Sequence, residues 1–566
     1  MLIFKELMMK KNIYLLAIVL GTMLLNSCKD TLVKLPLDKP ANVTFLQTQV
    51  ELNLAVNGMY NNLWLTSVGT SGQWEMVLDN ATDIGWDRNE TLFTFAGKGS
   101  HNSSTLLLAT VWDHFYTGIG RANYILENMN KVTDASPVVL ERADAQARFL
   151  RAYWYSQLVT LWGDVPLVVK TQGLDDNQVA KSPKKEIIDL LIADLNIAIQ
   201  KLPVSWPVAE KGRATKGAAL ALKSRIALID SRFDIAAAAA KQIIDEKVYT
   251  LYPDYTALFN YTGESNAEVI FEINFQNGLT IHRQPLSVFS RNGQGNSTKI
   301  PTQSLVDSYE CRDGLTIDKS PLYDPKQPFL NRDPRLRQTI AVPGDRFLGY
   351  QFETHKDSLM CWNYNVTPAR RVANQDATNP YASFSGYCWR KTADERDLGA
   401  FRSASSLNCI VMRYGEVLLN YAEAKIELNQ IDQSCLDAIN LVRGRKTVEM
   451  PPITAGKTQA QMREIIRRER KIELALEGLR LQDIRRWKIA EKVMPGPLYG
   501  RPQKPFSFKD QLVPTIDMNG VINYSSYASK LSIIEQREFN PARDYVWPIP
   551  LSELDANKKL VQNPNY

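Results

Sequence analysis

The sequence predicts a mostly α fold, one large helical domain with a loop-rich, partly irregular face, and three observations carry that prediction. Apolar residues recur at three- and four-residue steps in one segment after another, each set making a single stripe. Small residues such as Ala218, Ala219 and Ala221 stand where two helices would have to approach closely. Two long stretches lose the periodicity: 69–104 gathers Gly, Asn, Asp and aromatic residues as a functional loop does, and 252–408, broken by Gly, Pro and Asn and rich in Tyr, Phe and Trp, is either functional surface or a small irregular subdomain. A chain of 566 residues with 44% hydrophobic content has ample material for a substantial core. Its net charge of +6 is spread over mixed signs. No concentrated basic stripe exists, which sets nucleic acid aside as a partner.

The N-terminus fixes the compartment. Lys10 and Lys11 precede an uncharged apolar run from Ile13 to Leu25, and the small Ser27 stands just before Cys28. A bilayer-spanning helix needs about 20 apolar residues, so this run suits a cleaved export signal better than a permanent anchor. Leu25-Asn26-Ser27-Cys28 resembles a bacterial lipobox, in which cleavage leaves the cysteine to carry lipid. An ordinary secretory signal beside a coincidental cysteine is the competing reading. Charged Lys29 and Asp30 favour the tether. Met8 or Met9 offers an alternative start, since 1–7 adds nothing to the signal. The expected layout is a lipoprotein signal over 1–27, a lipidated spacer over 28–40 and a folded body over 41–566.

Helical pattern begins at Thr48 to Leu63. After the first irregular stretch, Trp112, Phe115, Tyr116, Ile119, Leu126 and Met129 form one stripe, and Leu150, Tyr153, Trp154, Leu158, Leu161 and Trp162 another. Ser136-Pro137 reads as N-cap and first turn of the second of these helices, with Gly163 and Pro166 stopping it. Ser182-Pro183 opens a third, Thr215 a fourth, and Ile235 to Ile244 makes a fifth. Paired helices of this size look like degenerate tetratricopeptide units, although the strict repeat signature is missing. Val269 to Phe275 is a plausible strand. Helices return at Tyr414 to Leu428, Leu436 to Arg443, Gln459 to Leu476 and Leu479 to Lys492, and Tyr545 to Pro550 is extended because proline excludes helix.

Five blocks, in order along the chain, carry a family resemblance. They are Ala147 to Ala152 with Trp162-Gly163-Asp164-Val165-Pro166-Leu167; Arg332-Asp333-Pro334-Arg335-Leu336; Arg413 to Ala424; Glu469 to Ala475 followed by Glu477-Gly478-Leu479-Arg480; and Trp547-Pro548-Ile549-Pro550 with Gln562-Asn563-Pro564. With them the chain resembles the SusD/RagB outer-membrane lipoproteins. The resemblance implies one mostly helical domain with four tetratricopeptide-like helix pairs, its N-terminal part about 41–250 and its C-terminal part about 251–566. It also implies lipid anchoring on the extracellular side of the outer membrane. The implied role is to capture oligosaccharide for a SusC-like TonB-dependent transporter, with peptide as the alternative ligand.

Sugars present flat apolar faces and rims of hydroxyls, so binding without chemistry needs aromatic platforms beside Asp, Asn or Arg. Asp83, Trp86, Asp87, Arg88 and Asn89 bring that mixture together, with Asn102 later in the same stretch. Phe289 to Asn292, including Arg291, and the neighbourhoods of Trp362 and Trp389 offer the same chemistry. Core packing is the competing explanation for every one of these aromatics. Trp64, Trp112, Trp154, Trp162 and Trp487 sit on helical stripes and read as core.

A secreted glycoside hydrolase is the rival from another class. Glu469, Glu473 and Glu477 stack at four-residue steps, but a glycosidase pair must face each other across a bond at about 5 to 9 Å. Neighbours on one helix face do not straddle anything, and Arg470, Arg480 and Arg485 stand close to neutralise them in a structural network. Gly293 to Lys299 lacks phosphate-loop spacing and reads as a turn. There is no GxSxG, HExxH or CxxC, and His101, His114, His282 and His355 lack paired spacing, so neither catalytic residues, a cofactor nor a metal is expected. Beyond Cys28 the cysteines are Cys311, Cys361, Cys388, Cys409 and Cys435, an odd set allowing at most two disulfides.

Overall fold

A computed structural model describes residues 8–9, 45–65, 72–173 and 176–566. Apart from Met8 and Met9, the expected export signal lies outside the described residues, as do Cys28 and the expected spacer over 28–40. Helices α1 (Gln49–Asn61), α2 (Leu108–Asn128), α3 (Pro137–Trp162), α4 (Lys184–Lys201), α5 (Lys216–Ile229) and α6 (Phe233–Glu246) follow one another, α2 to α6 each packed on the next. Local chemistry sets their starts. Thr48 and Glu51 form a reciprocal capping box on α1, Ser136 caps α3 ahead of Pro137, and Thr215 caps α5. Helix α7 (Tyr414–Glu427) lies on α6 and carries α8 (Gln433–Arg443) and α9 (Gln459–Glu473). The array therefore continues across the long excursion 247–413.

Close helix approach depends on one glycine in particular. A Cβ on Gly118 of α2 would stand 2.4 Å from the Trp154 ring of α3, so only a bare backbone lets that ring in. The C-terminus is clasped to the same helix. Trp547 N–H donates to the Leu161 carbonyl at 2.7 Å, Trp162 Nε1 donates to Pro548 O at 2.8 Å, and Asn563 Nδ2 donates to both Trp162 O and Trp547 O. Trp112, Trp162, Trp547 and Trp74 meet edge to face with centroids 5.2 to 6.2 Å apart. The extended Trp547 to Pro550 segment is thus part of the core.

The excursion holds little regular structure, as its broken periodicity predicts. Strands β1 (Gly85–Asp87) and β2 (Val269–Ile273) pair antiparallel with β3 (Lys299–Pro301) and β8 (Cys409–Arg413), respectively. A four-stranded antiparallel meander runs β4 (Arg346–Phe347), β5 (Tyr350–Gln351), β6 (Met360–Asn363) and β7 (Arg370–Ala373). A second core built from Ile84, Phe289, Leu336, Ile340 and Trp389 joins the helical array through Ile472 of α9. The stretch expected as a loop over 69–104 is largely internal instead. Its described part contains helices Trp74–Val77 and Leu92–Lys98, and residues 73–87 are buried. The helix expected from Leu479 to Lys492 breaks where Lys488 takes a left-handed φ of 55°, leaving Arg480–Arg486 and Ala490–Val493.

The glutamate ladder lies at the centre of an internal ion-pair network. Glu473 meets Arg335 at 2.9 Å, Arg413 at 2.9 Å and Arg445 at 3.2 Å; Glu469 meets Arg335 at 2.5 Å and Arg443 at 2.9 Å; Glu477 meets Arg413 at 2.7 Å and Lys391 at 2.6 Å. Glu268, Glu310 and Asp333 complete the acidic side, and Arg468 the basic side. The partners differ from those expected. Arg470 serves Asp483 and Glu423, Arg480 serves Asp83, and Arg485 donates to carbonyls of Thr160, Leu161 and Asp544. The cations that neutralise the ladder come from other elements brought in by the fold: Arg413 ends β8, Arg443 ends α8, Arg335 opens a short helix, and Lys391 and Arg445 stand in connecting segments.

All five described cysteines are buried and unpaired. Burial pushes the Cys361 thiol up to about 11 and the Cys435 thiol up to about 12, away from the reactive thiolate form.

Candidate functional site

Strand β1 ends in a buried pair, Asp87 with Lys299 at 2.5 Å, and the Asp87 carboxylate also accepts from the Asn89 N–H and the Thr91 hydroxyl. These bonds turn the chain sharply and bring Arg88 to the surface. Its Nη1 donates to the Tyr381 carbonyl at 2.5 Å and its Nη2 to the Asn296 carbonyl at 3.0 Å. The guanidinium lies 5.3 Å from the Tyr381 ring centroid and 5.7 Å from that of Phe384. Arg291 reaches the same place from the other core and donates through Nε to Tyr381 O at 3.0 Å. Burial, and for Arg88 also the neighbouring Arg291 charge, lower both guanidinium pKa values.

Above these arginines the rings of Tyr381 and Phe384 are 60% and 39% exposed, with Ile533 at 61% beside them. Trp86 is 6% exposed and stacks under Phe384 at 5.4 Å, its Nε1 donating to Glu535 at 3.0 Å. A cleft of about 280 Å³ opens next to Phe384, lined also by Ser383, His355, Gln503 and Ile533.

A second aromatic face adjoins it on the meander. Alternation along β6 buries Cys361 and Asn363 and leaves Met360 and Trp362 outward, and Tyr364 follows. Arg371 covers Trp362 at 5.6 Å and Arg346 covers Tyr364 at 5.3 Å. Asn292 ties the two faces together: its Nδ2 donates to Ala373 O at 3.2 Å and its Oδ1 accepts from the Asp376 N–H at 3.1 Å. Asp376 in turn accepts from the Arg291 N–H at 2.6 Å, and burial pushes its carboxyl up to about 6.

Of the residues singled out from the sequence, Arg88 and Arg291 come together, Trp86 supports them from below, and Trp362 lies on the adjoining hairpin. Asp83 stands apart. It is buried and paired with Arg480 at 2.8 Å and Lys471 at 3.1 Å, and although burial opposes ionisation these two cations hold its carboxyl well below the usual range. Asn102 is exposed elsewhere, its side chain closing a turn by accepting from the Ser104 N–H. Phe289 and Trp389 are fully buried in the second core, Trp389 held there by the pairing of Cys388-Trp389 with Ile340-Ala341. Neither can act as a platform, because no face of either ring reaches solvent. Tyr381, Phe384 and Tyr364 were missed; the signal for the first two was an aromatic alternation with small residues in Pro380 to Tyr387. Among the described residues no group of three His, Cys, Asp or Glu is placed to hold a metal ion.

Residues 267–566 match the profile described as the SusD family, and residues 37–228 match one described as starch-binding associating with outer membrane. The chain belongs to the SusD family. A SusD-like protein P2 of Formosa agariphila is 27% identical over 99% of this chain and 100% of that protein. Among solved structures, a SusD-like carbohydrate binding protein from Bacteroides fragilis is 30% identical, covers 92% of this chain and 100% of that one, and superposes with a TM-score of 0.80. A second SusD-like protein of Bacteroides fragilis is 25% identical with a TM-score of 0.75. The mostly helical architecture is thus that of SusD-like structures, and the blocks expected from the sequence have defined places in it. Arg335 and Arg413 feed the ion network, Trp162 and Trp547 build the clasp, and none of the matched blocks supplies the exposed aromatic face.

Proposed function

We propose that this SusD-family chain is a non-catalytic glycan-binding protein of the outer membrane that captures oligosaccharide outside the cell for a SusC-like TonB-dependent transporter. The observation that carries the reading is the exposed ring set Tyr381, Phe384, Trp362 and Tyr364 interleaved with guanidinium donors, on a fold 30% identical to a SusD-like carbohydrate binding protein. Flat rings match sugar faces, and the donors match ring and hydroxyl oxygens. The absence of catalysis is supported by where the glutamate ladder lies: Glu469, Glu473 and Glu477 are buried or nearly so and satisfied by cations, out of reach of a glycosidic bond. The tether reading rests on Cys28 following its apolar run, and attachment in two dimensions raises local concentration near the transporter.

Affinity electrophoresis through gels containing individual polysaccharides, with a parallel reducing-end assay, tests the proposal. Retardation without products is expected. Products that vanish when a carboxylate is mutated would make the protein a hydrolase, and retention of peptides without any glycan would move it to the peptide alternative. Mass spectrometry of the mature polypeptide is expected to find Cys28 N-terminal and acylated; a chain with Cys28 unmodified overturns the tether.

A further inference from the structure

The candidate face carries cations that the protein leaves without carboxylate partners. Arg88, Arg291, Arg346, Arg370 and Arg371 have no carboxylate within ion-pair distance among the described residues, although acids stand close by. Asp87 is consumed by Lys299, Asp345 by Arg337 and Arg390, Glu353 by Arg501 and Asp357 by Lys504. Asp376, the acid that most offsets Arg291, is buried, its carboxylate accepting from the Arg291 backbone N–H rather than from a guanidinium. Inside the protein the opposite holds, each guanidinium of the glutamate network meeting carboxylates.

Several donors are left over. Arg88 Nε and Arg291 Nη2 make no bond within the protein, Arg371 spends only Nη2 on Met360 O, and the Arg346 and Arg370 guanidiniums make none. A guanidinium offers five donors and no acceptor. Sugar hydroxyls both donate and accept, and a site built for them mixes the two. A planar carboxylate or a sulfate only accepts, and the guanidinium fork fits it with two parallel charge-assisted bonds. The rings remain usable, since an arginine on one face of Trp362 or Tyr364 leaves the other for a sugar.

Building on the glycan-binding reading above, we propose that the ligand is an anionic glycan, one whose sugars carry carboxylate or sulfate groups, read by the Arg88–Arg291 pair and by Arg346 and Arg371, which share the Trp362 face of the meander. Matched pairs of polysaccharide separate charge from backbone: polygalacturonate against its methyl ester, and carrageenan against desulfated carrageenan. Retardation by one charged member, at least ~10-fold stronger than by its neutral partner and falling as salt rises from roughly 50 to 300 mM, is the expected result. Which pair responds tells carboxylate from sulfate.

Arg88→Gln should weaken that binding ~10-fold or more, from the loss of charge-assisted bonds. Because Arg88 also anchors the Tyr381 loop, Arg346→Gln, whose guanidinium makes no hydrogen bond or ion pair among the described residues, is the control, with roughly a 3- to 10-fold loss expected. Retardation by neutral starch or by the esterified and desulfated partners, with the charged members no better, overturns the anionic class and leaves glycan binding standing. Equal competition by polyglutamate overturns it too, since charge without sugar then suffices. No retardation by any polysaccharide overturns both readings together.

Discussion

Glu473→Gln is the perturbation that most sharply separates a structural glutamate ladder from a catalytic one. Glu473 is fully buried, and its carboxylate holds Arg335, Arg413 and Arg445 at 2.9 to 3.2 Å. Burial alone would push its pKa up, but Arg413, Arg445 and Arg335 together hold it well below the usual carboxylate range. The network is balanced: Glu268, Glu310, Asp333, Glu469, Glu473 and Glu477 face Arg335, Arg413, Arg443, Arg445, Arg468 and Lys391. A glutamine of the same shape keeps one acceptor oxygen, aims an NH2 at guanidinium donors and leaves one buried positive charge in excess. Losing charge-assisted bonds worth ~1.5–3 kcal/mol each, within the ~3–5 kcal/mol typical of a broken buried pair, gives an expected loss of about 3–5 kcal/mol. Arg335, Arg413 and Arg445 each keep another acid, which favours the lower end. Chemical denaturation followed by tryptophan fluorescence reads the midpoint shift, with gel retardation of the folded variant unchanged. A loss under ~1 kcal/mol would refute the reasoning, because those three cations would then need no partner here.

Acid should act through the same residues. Glu469, Glu473 and Glu477 all have folded-state pKa values below their ordinary ones, so their stabilisation is complete above the unfolded value near ~4.3 and lost as pH falls through the folded values; a denaturation series through that range should show stability falling, and a flat profile would contradict it. Trp389→Ala should cost about 3–5 kcal/mol with little change in glycan retardation per folded molecule, whereas Tyr381→Ala should leave stability nearly unchanged and weaken retardation roughly 3- to 10-fold. Gly118→Ala places a methyl 2.4 Å from the Trp154 ring, and a loss of ~1–3 kcal/mol is expected in thermal melts. In the mature chain, thiol reagents should find none of Cys311, Cys361, Cys388, Cys409 and Cys435 under native conditions and all five after denaturation without reductant, since none is in a disulfide.

Periodicity made the helical array legible. Stripes such as Trp112 to Met129 and caps such as Ser136 and Thr215 are local statements about 3.6-residue repetition, and the helices start where those residues place them. The acidic ladder could also be seen, but its counterions could not, because Arg335, Arg413 and Arg445 arrive from other elements that local periodicity does not connect to it. The candidate ligand face was least legible, for the same reason. Asp83, Phe289 and Trp389 have the composition of a sugar site, yet composition does not say on which side of a loop a ring falls. A two-residue ladder with Ile340 and Ala341 turns Trp389 inward, while Tyr381, eight residues earlier in a segment without regular structure, faces water.

Arginine does two jobs in this protein, and the solvent decides between them. A guanidinium without a counterion inside the core would carry a desolvation cost of several kcal/mol, so Arg335, Arg413 and Arg445 are tolerated only where carboxylates meet them. At the surface an unpaired guanidinium keeps its water and costs the fold almost nothing. Arg88 is the intermediate case. Partly buried, it satisfies itself with two carbonyls and two ring faces, with no carboxylate among the described residues in ion-pair distance. On the proposal of an anionic glycan, an incoming carboxylate or sulfate meets donors that these bonds already orient. Pre-orientation of this kind on a loop held by Asp87, Asn292 and Asp376, rather than on the helices, lets the ion-locked array fix the fold while the face stays open to ligand.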